Sequence, residues 1–171
     1  TFHFDHHIAN IHGENDLYIA GNSFASADPQ WAALGGASEP GIVMVSRDDN
    51  RNGLPDDQWY ELRGSADEDS VGRVDYAYAL HYTRTTEGAI TWSDNRGNQG
   101  VVTNNAYHTQ HYFPRWLAAP LRFSGTLLPP NRFLVGAGGG QWLGFFLRWG
   151  YVDNKPNNDR AANSFNIDNA V

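Results

Sequence analysis

The residues whose types and spacing could do chemistry lie in the string DDNRNGLPDD, from Asp48 to Asp57. Side chains with oxygen atoms stand at its first, third and fifth positions (Asp48, Asn50 and Asn52), and a glycine follows at the sixth. This spacing matches the first half of an EF-hand calcium loop, where alternate side chains converge on one centre and the glycine supplies a sharp turn. Because calcium takes six to eight oxygen ligands, we expect the main-chain carbonyl of Leu54 to bind as well.

The second half of the string departs from the EF-hand pattern. Its twelfth position is Trp59, which has no oxygen to offer a cation, and the segments on either side read as strands rather than helices. We therefore predict a calcium loop between two strands, with Asp57 and Glu61 completing the ligand set and Asp56 as a further oxygen donor. The alternative is a hairpin turn rich in Asn, Asp and Gly that needs no ion.

Histidines form two further groups, at His3, His6, His7 and His12 and at His108 and His111. On a regular strand His3 and His7 would share one face, and two imidazoles on one face could hold zinc or another transition metal. Surface or half-buried histidines are the commoner outcome for such a group. The second pair stands among aromatic residues and is typical of a packed aromatic corner.

Support for catalysis is weak. The chain has no cysteine, so disulfides, thiolate zinc sites and cysteine nucleophiles are excluded together. Its serines lack a nucleophile-elbow setting, and its acidic residues crowd into turns. We predict a protein that is not an enzyme. The rival hypothesis is a glycan hydrolase that uses Glu61 with Glu39 or a histidine.

The composition excludes two classes of partner. Twelve basic residues against nineteen acidic ones give a net charge of −7, whereas a nucleic-acid-binding protein needs a basic face. No apolar run in the chain is long enough for a membrane-spanning helix.

Aromatic residues are abundant, with six Trp, eight Tyr and nine Phe, which suggests exposed rings as well as core rings. Such rings favour ligands with flat apolar or sugar faces. We predict ligand contacts at Trp31, Trp92, Trp142 and Tyr151, with Trp116 as a further candidate. These rings adjoin loops rich in Gly and Asn, which could supply hydrogen bonds around a ligand.

Short segments with strand character, separated by turn residues, position all of these side chains. The predicted strands cover residues 2–8, 16–20, 41–46, 58–63, 74–83, 89–93, 121–127, 132–135, 143–151 and 164–167. No stretch sustains a helical apolar face, although residues 106–117 could hold one turn. We therefore predict an all-β fold, a jelly-roll-like β-sandwich forming a single domain over residues 1–171, and we expect it to be one part of a longer exported protein.

Several strings resemble recurrent blocks of Bacteroidetes cell-surface proteins, a group of lipoproteins often associated with PKD domains. The strings are FDHHIAN (4–10), IAGNSF (19–24), GIVMVS (41–46), DDNRNGLPDD (48–57), WYELRGS (59–65), WSDN (92–95), WGYVD (149–153) and FNIDNAV (165–171). The resemblance spans nearly the whole chain and is most specific at the DDNRNGLPDD string. It implies a jelly-roll-like β-sandwich with a calcium loop at the bacterial surface, anchored to the outer membrane or extracellular.

The resemblance also implies a role and partners. Proteins of this kind tend to lie beside outer-membrane uptake genes, including those for corrinoids, which implies capture of vitamin B12 for a transporter. Binding of carbohydrate, or adhesion, is the alternative. The pair His6 and His7 and the glycine-rich residues 136–140 depart from the expected pattern.

Overall fold

A computed structural model describes residues 2–69, 73–85, 89–106, 109–118, 120–136 and 140–171. Strand accounts for 34% of the structure and helix for 4%, the latter as two single 3-10 turns at Ser65–Asp67 and Ile167–Asn169. All sheets in the described residues are antiparallel. The prediction of an all-β, sandwich-like fold with little helix is therefore confirmed.

Twelve strands follow one another along the described chain. They are β1 (Leu17–Tyr18), β2 (Phe24–Ala25), β3 (Gly35–Ala37), β4 (Met44–Ser46), β5 (Trp59–Glu61), β6 (Asp75–Arg84), β7 (Ile90–Asp94), β8 (Gln99–Val102), β9 (Leu121–Leu127), β10 (Arg132–Val135), β11 (Gln141–Phe145) and β12 (Ser164–Phe165).

The chain divides into two compact units. The first unit comprises Thr1–Arg73 and Pro129–Val171, and the second comprises Val74–Leu128. The single domain predicted for residues 1–171 stays a prediction.

The first unit contains a four-stranded sheet in the order β10-β11-β3-β2 and two strand pairs, β1 with β12 and β4 with β5. A buried cluster of Val43, Leu62 and Phe165 lies at the base of the β4–β5 hairpin. The main-chain N–H of Leu62 donates to the carbonyl of Val43 at 2.8 Å, and Leu62 also bridges to Ala170. Apolar burial therefore anchors the two strands that carry the Asp48 segment between them.

The second unit is built around the ten-residue strand β6. It pairs with β7 on one side and β9 on the other, and β8 extends the sheet beyond β7. The pairing with β9 is irregular between Asp75 and Tyr78, where the register shifts. Beyond that shift, successive side chains alternate between the two faces of the sheet.

Three sequence expectations fail in the described residues, one of which is the strand predicted for residues 143–151, since that strand ends at Phe145. Residues 2–8 form no strand, and the side chains of Phe2 and Phe4 are exposed. An alternating pattern makes a strand only where a neighbouring strand can pair with its main chain, and none does here. Residues 106–117 hold no helical element in their described part, only a turn closed by the Leu117 N–H on the Pro114 carbonyl at 3.2 Å.

Three strands were missed, namely β2, β3 and β8. Strand β3 contains Gly35 and Gly36, and glycine is depleted in strands. Close packing explains both glycines here. A Cβ at Gly35 would lie 2.2 Å from the Gly144 carbonyl oxygen, and a Cβ at Gly36 would lie 2.1 Å from that of Phe24.

Candidate metal centre

The Asp48 segment joins the paired strands β4 and β5, as the sequence predicted. Ser46 and Trp59 form the last pair of the ladder, so residues 47–58 make the connection. Two of these residues, Arg51 at φ 60° and Gly53 at φ 72°, have left-handed backbone conformations. Such conformations curl the chain tightly and turn neighbouring side chains toward the inside of the loop.

Asp48 receives main-chain hydrogen bonds from across this loop. Its Oδ1 accepts from the N–H of Asn52 at 3.1 Å, and its Oδ2 accepts from the N–H of Gly53 at 3.0 Å. Asn50 Oδ1 also accepts from Asn52 N–H, at 2.9 Å, and Asn52 Oδ1 accepts from Leu54 N–H at 2.7 Å. Three of the five predicted side-chain ligands therefore lie on one continuous network.

Asp56 completes this network. Its carboxylate accepts hydrogen bonds from Asn50 Nδ2 at 3.3 Å and from Asn52 Nδ2 at 3.1 Å. Asp56 was only a secondary candidate in the sequence. It occupies position nine when Asp48 is position one, and EF-hand loops use that position for a ligand or a bound water. The spacing could thus have placed Asp56 in the site.

Asp57 carries the strongest electrostatic signal of the loop. Its Oδ2 is buried and has no hydrogen-bond partner in the described protein. Burial raises the pKa of Asp57 above its ordinary 3.8, and the charges of Asp56, Asp48 and Asp49 raise it further, against a main-chain hydrogen bond from Asp49. Each effect opposes the charged carboxylate, so a cation beside Asp57 would be stabilising.

Leu54 and Glu61 occupy different surroundings. The side chain of Leu54 is exposed at the loop surface. Glu61 on β5 pairs with Met44 on β4, two residues beyond the Ser46–Trp59 pair. Burial raises the pKa of Tyr151, and the charges of Asp67 and Glu61 raise it further. The membership of Leu54 and Glu61 in a ligand set stays a prediction.

In the described part of the chain, no three His, Asp or Glu side chains converge in a way that could hold a metal ion by themselves. A calcium site here would therefore depend on amide and carbonyl oxygens together with the carboxylates. This is the ligand mixture that calcium accepts.

In the described part of the chain, His6 and His12 lie beside different carboxylates. His6 Nδ1 lies 2.6 Å from the carboxylate of Asp5, and His12 Nδ1 lies 3.0 Å from that of Asp168. Because residues 2–8 form no strand, the shared face expected for His3 and His7 does not exist. Of the second pair, His108 lies outside the described residues.

The four predicted ligand-binding rings have different environments. Trp142 on β11 is 62% exposed, and Trp31 is half-buried with its ring edge-to-face against Phe133 at 6.2 Å. Trp92 on β7 is half-buried in the second unit.

The expectation of an exposed ring at Tyr151 is wrong. Tyr151 is 3% exposed, and its hydroxyl accepts a hydrogen bond from the Ala66 N–H at 3.1 Å. A Cβ at Gly64 would lie 2.4 Å from the Tyr151 ring. The missing side chain of Gly64 therefore makes the space in which the tyrosine is buried.

The remaining candidates for a binding or catalytic site are a small cavity, the pair of Glu39 with Glu61, and the glycine-rich string. A cavity of about 180 Å³ in the first unit is lined in part by Asn15, Arg63 and Trp149, and it is smaller than a usual small-molecule pocket. Glu39, the proposed hydrolase partner of Glu61, is exposed and lies 3.8 Å from Arg132. Residues 137–139 of the glycine-rich string lie outside the described residues.

Comparison with known proteins does not assign this chain to a family. No family model matches it, and no curated protein matches it. None of the helical segments in the described residues is long and apolar enough to span a bilayer.

Proposed function

We propose that the chain is a non-enzymatic, calcium-stabilised module that binds a ligand at the cell surface. The observation that carries the proposal is the carboxylate of Asp57, whose Oδ2 is buried without a hydrogen-bond partner in the described residues and whose pKa is raised by burial and by the charges of three other aspartates. A divalent cation would relieve that repulsion.

The ion would be held by oxygens of the loop. Asp48 and Asp57 would supply negative charge, and Asn50 and Asn52 would supply neutral oxygens with the main-chain carbonyl of Leu54. A carboxylate or amide oxygen has two lone pairs, so it can keep a main-chain hydrogen bond and still bind a cation. Two neutral side chains reduce the charge of the site, which suits the weaker calcium affinity of extracellular modules.

Thermal unfolding tests the calcium proposal. Calcium at one hundred times its Kd should stabilise the folded protein by about 2.7 kcal/mol, and chelation should reverse the gain. Asp48→Ala should abolish the response. The matched control is Asp28→Ala, since Asp28 also accepts a main-chain hydrogen bond in a turn, from Gln30, but lies outside the loop. An unchanged melting temperature of the wild-type protein on calcium addition would contradict the proposal.

The proposed ligand is a nutrient, most specifically a corrinoid delivered to an outer-membrane transporter, and a glycan is the alternative. The exposed indole of Trp142 supports either one, because both ligands offer flat faces for stacking. Calorimetry against cyanocobalamin and a panel of neutral glycans distinguishes the two. Saturable binding without turnover supports a binding module, whereas glycan cleavage lost in Glu61→Gln would support the hydrolase instead.

A further inference from the structure

Four aromatic residues lie on one face of the sheet in the second unit, namely Tyr78, Tyr82, Trp92 and Phe123. Trp92 on β7 pairs directly with Tyr82 on β6, and Tyr82 pairs with Leu121 on β9. Phe123 stands two residues beyond Leu121, so it lies on the same face. Trp92, Tyr82 and Phe123 form what we call the aromatic stripe.

The sheet itself orients the indole of Trp92. On β8, the strand that pairs with β7 opposite β6, the partner of Trp92 is Gly100. A Cβ at Gly100 would lie 2.7 Å from the indole Nε1 and 2.8 Å from Cε2. The indole therefore occupies the space that any other residue at position 100 would fill. A ring held in this way loses little conformational entropy when a ligand stacks on it.

The other two rings are in contact and accessible. Tyr82 and Phe123 meet edge-to-face at 6.1 Å, and Phe123 is 54% exposed. Trp92 and Tyr82 are half-buried. The stripe is thus a supported aromatic surface that the described residues leave partly open.

Polar groups of opposite charge flank the stripe. Asp94 follows two residues after Trp92 and accepts a hydrogen bond from the Tyr78 hydroxyl at 3.0 Å. Arg84 stands two residues after Tyr82 on β6 and pairs with Ile90 on β7, at the opposite end of the ladder from Asp94. Each flanking residue is about 7 Å along its strand from a ring. Arg84 is exposed and offers donors to a neutral ligand that carries hydroxyl groups, whereas the Asp94 carboxylate already accepts four hydrogen bonds within the protein.

We propose that the aromatic stripe binds a neutral glycan. The C–H face of a sugar ring would stack on Trp92 and on Phe123, while its hydroxyls would reach Arg84. This inference rests on the ligand-binding part of the proposed function and selects the glycan over the corrinoid. It is independent of the calcium loop, which belongs to the first unit.

The test is calorimetric titration of the folded protein with neutral oligosaccharides of increasing length. Trp92→Ala should weaken binding about tenfold, as expected for loss of one stacking contact of about 1.4 kcal/mol. Gly100→Ala should weaken it comparably although the indole is kept, because the new Cβ displaces the ring. The matched control is Val101→Ala on the same strand, whose exposed side chain lies on the opposite face and should leave affinity unchanged.

Circular dichroism and melting temperature show whether each variant is folded. If Trp92→Ala is not folded, Trp92→Phe is measured instead, and it should keep part of the affinity that Trp92→Ala loses. Failure of every neutral oligosaccharide to bind the wild-type protein would overturn the inference, as would binding that is lost in Trp116→Ala and kept in Trp92→Ala. Binding of cyanocobalamin alone would overturn it too. Calcium-dependent melting, measured on the same samples, reports separately on the calcium part of the proposed function.

Discussion

Two turns of this protein share several residue types but differ in their electrostatics. The connection from Asp48 to Asp57 and the turn from Asp94 to Asn98 both close antiparallel hairpins with Asp, Asn, Arg and Gly. In the second turn a single carboxylate is surrounded by donors. Asp94 accepts from the main-chain N–H of Arg96 and Asn98, from the Asn98 amide and from the Tyr78 hydroxyl, all within 3.0 Å.

The first turn reverses this balance. It contains four aspartates within ten residues, and the Oδ2 of Asp57 finds no donor in the described protein. Burial and neighbouring carboxylates raise the pKa of Asp57. Although burial also raises the pKa of Asp94, hydrogen bonds from Asn98 and Tyr78 hold it below 3.8. A turn that satisfies its own carboxylate needs no ion, whereas a turn that leaves one unsatisfied is a candidate for a cation.

The largest expected effect is on the free energy of unfolding, and it comes from substitutions in the segments that follow the two turns. Leu62 is 2% exposed in the core below the Asp48 hairpin, so Leu62→Ala should cost about 2–5 kcal/mol of unfolding free energy. Val101, on the strand after the Asp94 turn, is exposed, and Val101→Ala should change stability by about 0.5 kcal/mol or less. Urea unfolding measures both. Equal losses would show that the two hairpins are anchored alike.

Much of the fold could be predicted because strand patterns are local. The strands β9 and β10 have the predicted limits, and the hairpin around the Asp48 segment is where the alternation placed it. Strand β3 could not be found, since its glycines are explained only by contacts with distant strands. The strand predicted for residues 2–8 is absent for the converse reason. Its alternating pattern is present, but whether another strand lies beside it depends on the tertiary structure, which a local pattern does not show.

The hydrogen-bonded arrangement of the candidate site was predictable only in part. The spacing of Asp48, Asn50 and Asn52 identified side chains that the structure does join by hydrogen bonds. The orphaned oxygen of Asp57 is invisible in the sequence, because its burial depends on how the loop closes. The burial of Tyr151 was likewise hidden, since it depends on Gly64, which lies far away in the sequence.

The second prediction separates the turns by their response to calcium. Asp57→Asn removes one of the crowded charges, so it should raise the melting temperature of the metal-free protein by a few degrees. With calcium the same variant should melt below the wild-type protein, because it loses a charged ligand. Asp94→Ala should lower the melting temperature by several degrees equally with and without calcium, because it removes hydrogen bonds that need no ion. A calcium-dependent effect of Asp94→Ala, or none for Asp57→Asn, would show that the comparison is wrong.

The smallest expected effect is the pH dependence of the metal-free protein, where the two aspartates should act with opposite sign. The pKa of Asp57 is raised by burial and by its acidic neighbours, so the folded state binds this proton more tightly than the unfolded state does. Its unfavourable contribution is fully present at neutral pH and disappears as the pH falls through the raised pKa toward 3.8. The pKa of Asp94 is lowered by its hydrogen bonds despite its burial, so its contribution is favourable above 3.8 and is lost only as the pH falls below that value.

Melting curves of the wild-type protein, Asp57→Asn and Asp94→Asn, followed from neutral pH to below 3.8 in chelator, measure these two contributions. The advantage of Asp57→Asn over the wild-type protein should shrink first on acidification, while the deficit of Asp94→Asn should persist to lower pH and then shrink. Added calcium should remove the first trend, because a bound cation lowers the pKa of a neighbouring carboxylate, and should leave the second unchanged. If both differences have the same sign at neutral pH, the two turns are electrostatically alike, and the contrast between an ion-requiring and a self-satisfied loop does not hold.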